Sequence, residues 1–558
     1  MKRYLSLILA LIFTLSVSIG AFAFPSTPYN DTMRILSPPL WMSNTLTDSE
    51  AIPIALNSGM LSKESMGYSE AIGKNQKFTN LLDGYSIILP ADMKVDLSYS
   101  DICTTFTNQH LSLKIFKERF NTKDERTAYL SYSNKFIENT ADHKLELKQS
   151  YKLNGHEYKI LQWSRRKLPA VANDKNYYAC VDVLIESRVY TFFFSSDIDF
   201  YSLGGYMNIV DSLITFNPTV AKENAYNKGY GKSHISHMSP SAQADYHYLF
   251  DDENDIKFGL FSPNLYGGYE KLEEFENSID YTFSAFLEYS EVPDLHGLDA
   301  FQYKEKLDRY ISRLKTHLDY AVESGKCLEL TLQTPLSRGT SSNMVYEILE
   351  GKYDAYLTEY INTIKSYPNV TVLFRPFNEM NGDWCNYSAF HTSRDPQIYV
   401  ELYRYLYNKF KASGCNNVIW VWNPNEKSFP DFKWNNEVLY YPGDEYVDVY
   451  GITGYNTGDY YSGENWRSFD EIYIPIYEKA LKINKKPIMI TEFSCSSIGG
   501  DKIKWIDDMF TSLPNYSNIK LAIWWNAADY DGDVISRSYF IDTPNGTLDV
   551  FKKYLGKE

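Results

Sequence analysis

The C-terminal half of the chain alternates short apolar runs with longer segments of helical periodicity. The runs are IKFGLFS (256–262), IDYTFSAFLE (279–288), KCLELTLQT (326–334), NVTVLFRPF (369–377), NVIWVWN (417–423), VDVYGITGYN (447–456), KPIMITEF (486–493) and NIKLAIWWN (518–526). Such eightfold alternation predicts a (β/α)8 TIM barrel. A doubly wound sheet is the rival, but FSPNLYGGY after the first run is a poor match to a Gly-rich phosphate loop.

A different pattern occupies residues 78–216. Strand-like runs occur there as YSIILP, LSLKIF, YKILQWSR, YYACVDVLI and VYTFFFSS, with a hairpin turn at LNGHE (153–157). A helical stretch, YMNIVDSLITF, closes the region. These features predict a small α+β domain of unknown role in front of an α/β barrel domain at 251–558.

The chain begins with the pattern of a secretory signal peptide at residues 1–23. Lys2 and Arg3 precede an apolar core, and a small-x-small site follows at Ala21-Phe-Ala23. The alternative is an uncleaved membrane anchor, although the small residues favour cleavage. We therefore expect a secreted protein, with an exposed leader at 24–77 and a linker at 217–250.

The net charge and the cysteine and histidine content indicate which ligands and cofactors the chain can bind. The chain has 55 basic and 71 acidic residues, a net charge of −16, which argues against nucleic acid and suits a neutral substrate. None of the six cysteines forms a CxxC pair and the nine histidines lack zinc-type spacing, so we expect no metal and no cofactor. Cys103 and Cys180 are either a disulfide or two buried free thiols.

Candidate catalytic groups lie at the C-terminal ends of the predicted barrel strands, where TIM-barrel active sites form. Two of them are carboxylates, Glu379 after the fourth strand and Glu492 at the end of the seventh. The neighbouring strand ends supply Arg375, Asn378, Trp420, Trp422, Asn423, Tyr455, Asn456, Trp524, Trp525 and Asn526. A protonated acid and an ionised nucleophile about 5 Å apart are what retaining glycoside hydrolysis requires.

The segments RPFNEMNGDW and ITEF resemble glycoside hydrolase family 26, one of the barrel glycosidase families with catalytic Glu on strands four and seven. The likeness covers roughly the C-terminal 300 residues. It implies that Glu379 is the acid/base and Glu492 the nucleophile. It also implies that Tyr455 lies near the nucleophile, that Arg375 orients it and keeps it ionised, and that Trp384 and Trp525 form sugar platforms.

The tryptophans of strands five and eight have two interpretations, sugar binding and packing. Trp420 and Trp422 alternate on one strand and share a face, so packing accounts for at least one of them as well as sugar binding does. We count Trp422 among the substrate-binding residues. Trp524 and Trp525 are adjacent, so one faces inward and one outward.

The chain departs from the mannanases of this family just before the acid/base. Those enzymes commonly carry His there, where this chain has Asn378, and Gln333-Thr334 stand where a second His is common. In related barrels an Asn at this position bonds the sugar 2-hydroxyl. The substrate therefore stays open among mannan or glucomannan, mixed-linkage β-glucan and β-xylan.

Two functions follow from the sequence. The first is a secreted retaining endo-β-glycanase that acts on a β-1,4-linked polysaccharide by double displacement. The second is an inactive barrel that binds glycans, which the presence of both carboxylates disfavours. The N-terminal domain is either a spacer or a cell-wall or glycan contact through Tyr177, Tyr178 and Phe200, while VYTFFFSS reads as a core strand.

Overall fold

A computed structural model describes residues 66–220, 229–251, 255–263, 268–335 and 342–557. The predicted signal peptide and most of the predicted leader lie outside these residues. Within them, no helix combines the length and the apolar character needed to cross a membrane.

The N-terminal domain consists of two antiparallel sheets. One has the order β1-β2-β3-β11 and the other β4-β5-β6-β10-β9-β8-β7. The strands are β1 (Gly67–Ile72), β2 (Asn75–Asn80), β3 (Tyr85–Pro90), β4 (Lys94–Asp96), β5 (Thr104–Thr107), β6 (Leu111–Arg119), β7 (Lys144–Leu153), β8 (His156–Ser164), β9 (Tyr177–Ile185), β10 (Arg188–Ser196) and β11 (Ile214–Thr215). Strand β1 and the start of β2 thus lie inside the predicted leader, and the predicted hairpin joins β7 to β8.

Within the described residues of this domain, the α-helices are α1 (Lys123–Ser133), α2 (Phe200–Leu203) and α3 (Tyr206–Asp211). Helix α1 begins where the Thr122 side chain accepts a hydrogen bond from the Glu125 amide, a standard N-cap. The VYTFFFSS segment is a buried core strand. Tyr178 and Phe200 are buried as well, so the structure does not present them as glycan-binding surface.

Part of the predicted linker is a helix, α4 (Pro240–Phe250). Pro240 occupies its first turn and the Ser239 side chain accepts from the Ala242 amide, which favours a helix start. Its buried residues Tyr246 and Leu249 pack in one cluster with the interior of the barrel. The segment therefore belongs to the barrel core rather than to a linker.

The C-terminal domain is a closed barrel of eight parallel strands in chain order, as the sequence predicts. The strands are β12 (Lys257–Phe261), β13 (Ala285–Glu291), β14 (Cys327–Gln333), β15 (Val372–Pro376), β16 (Val418–Trp422), β17 (Val449–Asn456), β18 (Ile488–Cys495) and β19 (Ile519–Trp525). A hairpin of β20 (Ala528–Asp531) and β21 (Val534–Ser538) follows.

The helices of this domain surround the strands. They are α5 (Gly268–Ile279), α6 (Ala300–Ser324), α7 (Met344–Leu349), α8 (Asp354–Lys365), α9 (Pro396–Ser413), α10 (Phe469–Ile483), α11 (Lys502–Ser512) and α12 (Thr547–Leu555). Helix α6 has clear signals at both ends. Asp299 and Gln302 form a capping box, and Gly325 ends the helix with a φ of +67°.

Alternation along the barrel strands divides their side chains into two clusters. Leu287, Cys327 and Leu373 pack with the barrel interior, whereas their sequence neighbours pack with the helix layer. Because the strand period is two, Tyr289, Glu329 and Arg375 follow on the interior side, toward the C-terminal ends. The upper interior of the barrel is therefore polar and charged.

The cysteines Cys103 and Cys180 are buried free thiols. The Cys103 thiol lies 3.9 Å from the Thr105 hydroxyl, and the Cys180 thiol contacts Arg394 in the barrel domain. Of the two readings of the sequence, the structure supports free thiols.

Candidate active site

Glu492 lies on the interior side of β18 in a buried setting. Arg375 places Nη2 2.6 Å from Glu492 Oε1, and the Tyr455 hydroxyl donates to Oε2 over 2.7 Å. Burial lowers the pKa of Arg375, but the charges of Glu492 and Glu329 outweigh it and raise that pKa above its ordinary value. Arg375 is therefore a permanent cation that holds one oxygen of Glu492.

An irregularity in the sheet turns Glu492 inward. Met489 packs with the barrel interior and Ile490 with the helix layer, so strict alternation would point Glu492 outward with Ile490. The pairing of β18 with β19 shifts register between Ile490 and Phe493. This bulge gives Glu492 an interior position, a use of bulges common near functional sites.

Glu379 follows β15 and is partly exposed at the barrel mouth. Asn425 Nδ2 donates to its Oε1 over 2.5 Å, and Trp384 Nε1 donates to its Oε2 over 3.3 Å. Burial raises the pKa of Glu379 to about 7, the negative charge of Glu492 adds to the rise, and the donors oppose it. Such a carboxyl can be protonated near neutral pH.

The backbone around Glu379 is strained. Phe377 and Glu379 both have a φ of +54°, in the left-handed region that side-chain-bearing residues seldom adopt. The Glu379 amide donates to the carbonyl of Asn423 over 2.7 Å, which fixes the turn. Strain of this kind clusters at functional sites, where the surrounding structure enforces it.

A third carboxyl, Glu329 on β14, lies beneath the pair. It is fully buried, and its Oε1 lies 3.0 Å from Arg375 Nε. Burial raises the pKa of Glu329 to about 8, with Arg375 lowering and Glu492 raising it. Arg375 also donates through Nη1 to Asn423 Oδ1 over 3.0 Å. One guanidinium thus joins two carboxyl groups and an amide.

The two residues that depart from the mannanase pattern contact each other. Gln333 Nε2 donates to Asn378 Oδ1 over 2.9 Å, and the Tyr387 hydroxyl donates to the Asn378 carbonyl over 2.7 Å. The Gln333 contact fixes the orientation of the Asn378 side-chain amide, and the Tyr387 contact holds its main chain. Its Nδ2 is the end of this amide that can donate to a ligand.

Aromatic side chains surround the carboxylates. Trp525 Nε1 donates to the Tyr289 hydroxyl over 3.1 Å, and its ring meets that of Tyr455 edge-on at 5.9 Å. Trp384 lies 5.3 Å from the Phe429 ring. The structure thus brings together Arg375, Asn378, Glu379, Trp384, Tyr455, Glu492 and Trp525.

The structure places Trp422 elsewhere. It is fully buried on the helix side of β16, against Tyr230, Tyr441 and Tyr450. Trp420 shares that face, as period two requires, and Trp524 packs outward against Phe493. Trp422 is therefore a packing residue, because the interior positions of β16 belong to Ile419 and Val421.

The sequence analysis does not identify three residues of the site, namely Tyr289, Glu329 and Asn425. Glu329 interrupts the apolar run CLELTLQ at an interior position, and Tyr289 stands near the C-terminal end of its strand. Both positions were readable from strand periodicity. Asn425 lies in the loop after β16, and nothing in its local sequence indicates a contact with Glu379.

This arrangement separates the chemical roles of two carboxyl groups. Glu379 can carry a proton near neutral pH, while Glu492 faces a fixed cation and a phenol. Opposed environments of this kind divide acid from nucleophile. Among the described residues, no group of three or more His, Cys, Asp or Glu is placed to hold a metal ion.

A closed βα barrel with such a pair at its C-terminal mouth has the form of a barrel glycosidase. Residues 331–487 match the model of glycosyl hydrolase family 26, a segment that includes Glu379 and ends just before Glu492.

Curated relatives carry related names. Endoglucanase H of Acetivibrio thermocellus is 33% identical over 38% of this chain and 23% of its own length. A mannan endo-1,4-beta-mannosidase of Bacillus subtilis is 30% identical over 27% of this chain and 39% of its own length. The chain therefore spans less than two fifths of either relative. A solved Bacillus subtilis mannanase is 20% identical, with a TM-score of 0.40 over 58% of this chain and 94% of the other.

Proposed function

We propose that the protein is a retaining endo-β-glycanase that cleaves a β-1,4-linked polysaccharide by double displacement. The observation that carries this proposal is the contrast between the two carboxyl groups. Glu379 has a pKa raised to about 7, while Glu492 is held by Arg375 and Tyr455. Retaining glycosidases need this pairing of acid and nucleophile.

In the first step Glu492 attacks the anomeric carbon and forms a glycosyl ester. The glycosidic C–O bond breaks, and Glu379 transfers its proton to the departing oxygen. Arg375 and Tyr455 hold the Glu492 oxygens in place, so the nucleophile reaches the sugar in one orientation. The leaving alcohol departs neutral.

The second step reverses these roles. Once Glu492 is an ester it has lost its negative charge, and that charge raises the pKa of Glu379 in the free protein. The pKa of Glu379 then falls, because the repulsion that favoured its protonated form is gone, and the ionised carboxylate is available as the general base. It takes a proton from water, the water oxygen attacks the anomeric carbon, and Glu492 is released.

The substrates we propose are mannan or glucomannan and mixed-linkage β-glucan. The names of the relatives include both an endoglucanase and mannan endo-1,4-beta-mannosidases. Asn378, oriented by Gln333, offers an amide donor to a 2-hydroxyl. This donor supports tolerance of an equatorial 2-hydroxyl, as in glucose, beside the axial one of mannose.

The site of action that we propose is outside the cell, supported by the signal-type pattern of residues 1–23. N-terminal sequencing of protein recovered from the culture medium tests it. A mature chain that starts just after Ala23 is expected, and protein retained in full length within cells would contradict it.

Reducing-sugar release from mannan, glucomannan, mixed-linkage β-glucan and xylan tests the activity. We expect the wild type to cleave at least one of the first three, and Glu492→Ala to cleave none. Azide should partly restore Glu492→Ala turnover and yield a product of inverted anomeric configuration. A wild type without activity on all four polymers would contradict the proposal.

A further inference from the structure

The N-terminal domain contacts the barrel at the end that carries the active site. Asp142 accepts from the Asn343 amide over 2.7 Å, in the segment after β14. Arg394, in the segment after β15, donates to the Tyr129 hydroxyl over 3.0 Å. Ser133 accepts from Trp434 Nε1 over 3.0 Å, in the segment after β16. Three consecutive loops of the catalytic face are therefore tied to this domain.

One contact falls beside the acid/base. The Tyr132 hydroxyl, at the end of α1, donates to Asp383 Oδ2. The Tyr132 ring also packs 4.8 Å from that of Phe390. Both barrel residues belong to the loop that follows Glu379, and both are buried.

The Tyr132 hydroxyl is one of the groups that stabilise Asp383. Its side chain is 2% exposed, and burial raises its pKa to about 6, with the Tyr132 hydrogen bond lowering it. A buried carboxyl that loses one of its donors is stabilised less at its position, which favours its movement. Trp384 is the next residue in the chain, and its Nε1 donates to Glu379 Oε2 over 3.3 Å. Movement of Asp383 would thus carry Trp384 with it.

We propose that Tyr132 is a positioning residue of the active site, through which the N-terminal domain holds Asp383 and so keeps Trp384 Nε1 on Glu379. The proposal rests on the function proposed above. In this proposal the N-terminal domain stabilises the conformation of the loop that follows Glu379.

The expected effect has a definite sign in pH. Trp384 lowers the pKa of Glu379, so a looser Trp384 lets that pKa rise. The other groups that act on or face Glu379 are Glu492, Arg375, Asn425, Tyr289, Tyr455, Cys385 and Tyr387. The variant Tyr132→Phe leaves all of these side chains in place. The basic limb of kcat/KM should therefore move to higher pH.

The variants Tyr132→Phe and Tyr206→Phe make a matched pair. Tyr206 accepts a hydrogen bond from Gln162 within the N-terminal domain, so both variants lose one hydroxyl contact. On glucomannan or mixed-linkage β-glucan, we expect Tyr132→Phe to lose about tenfold in kcat and to move the basic limb upward, as Trp384→Phe does. Tyr206→Phe should keep the wild-type profile.

Two further variants separate positioning from folding. Asp383→Asn still accepts from Tyr132 and should keep the wild-type basic limb, whereas Asp383→Ala should match Tyr132→Phe. If Tyr132→Phe lowers the unfolding temperature but leaves the pH profile and kcat as in Tyr206→Phe, the contact is only structural and the proposal is overturned.

A measurement without substrate decides the inference even if the wild type proves inactive. In protein labelled with [15N]tryptophan, the Trp384 indole signal is identified by its loss in Trp384→Phe. We expect it to move with pH near the Glu379 pKa of about 7 in the wild type and Tyr206→Phe. The movement should shrink in Tyr132→Phe and vanish in Glu379→Gln. A wild-type titration in Tyr132→Phe would overturn the proposal.

Discussion

Arg375 and Glu492 form a buried ion pair, with Nη2 2.6 Å from Oε1. The same guanidinium lies 3.0 Å from Glu329, so a single cation serves two carboxyl groups in the barrel interior. This shared cation links the stability of the barrel to the chemistry of its mouth. Removal of any member of the group should therefore be visible in both.

Replacement of Arg375 by Met should destabilise the protein strongly. It leaves Glu329 and Glu492 buried without their cation, and breaking a buried pair costs about 3–5 kcal/mol. Urea unfolding measures the loss. The control is Lys304→Met, which breaks the exposed pair with Asp308 and should cost far less, because solvent screens that pair. Equal losses would show that Arg375 does not carry this group.

The variant Glu329→Gln should change how stability depends on pH. The pKa of Glu329 is raised to about 8, above the ordinary 4.5, so the folded state binds the extra proton. Its contribution is complete at low pH and is lost as the pH rises from about 4.5 to 8. The unfolding free energy should therefore fall less between pH 5 and 8 in Glu329→Gln than in the wild type. An identical fall would contradict the raised pKa.

Replacement of Glu379 by Ala should slow substrates according to their leaving groups. Poor leaving groups need the proton that Glu379 supplies, whereas activated aryl glycosides depart without it. We expect a loss of about 10²–10⁴-fold in kcat/KM on polysaccharide and a much smaller loss of the glycosylation rate on dinitrophenyl glycosides. Steady-state and burst kinetics on both measure the contrast, and equal losses would remove Glu379 from the acid role.

The variant Asn425→Ala should move the basic limb of the pH profile upward. Asn425 Nδ2 donates to Glu379 Oε1 over 2.5 Å and lowers the Glu379 pKa. Without it the acid stays protonated to higher pH, so kcat/KM should fall later as pH rises. The pH profile of kcat/KM tests this, with Asn436→Ala, which removes a local cap on a 3₁₀ turn, as the control. Movement of the basic limb to lower pH would contradict the inference that the Asn425 contact lowers the Glu379 pKa.

Replacement of Asn378 by Ala should lower kcat and kcat/KM together. A bond to the 2-hydroxyl strengthens as charge develops at the anomeric carbon, so its loss appears in the transition state, at about 3 kcal/mol or less. Rates on mixed-linkage β-glucan, glucomannan and pure mannan measure it for wild type and variant. Activity confined to pure mannan would show that Asn378 and Gln333 do not admit an equatorial hydroxyl.

The barrel was predictable because each strand is a short apolar run between helical segments. β14, predicted at 326–334, spans Cys327–Gln333, for example. Helix α4 was missed although Ala242, Tyr246 and Leu249 have helical spacing, because polar residues around them read as a linker. Local pattern alone does not reveal that a helix covers a barrel.

The residues of the candidate site, like the elements of the fold, were predictable only in part. Glu379 follows from the motif around it, and Glu492 from its place at the end of a strand. The inward turn of Glu492 depends on a register shift with β19, and the Asn425 contact depends on a loop from another strand. Neither is encoded in neighbouring residues, so both required the assembled barrel.

The central claim is that Glu492 is the nucleophile of a retaining reaction. Dinitrophenyl 2-deoxy-2-fluoro-β-glycosides of the gluco and manno series should trap the glycosyl ester. The fluorine slows both steps, whereas the good leaving group speeds only the formation of the ester, so the ester accumulates. Peptide mass spectrometry of the inactivated protein locates the sugar. We predict one label per chain, on Glu492. A label on another residue, or an active enzyme that forms no ester and releases product of inverted configuration, would contradict the account.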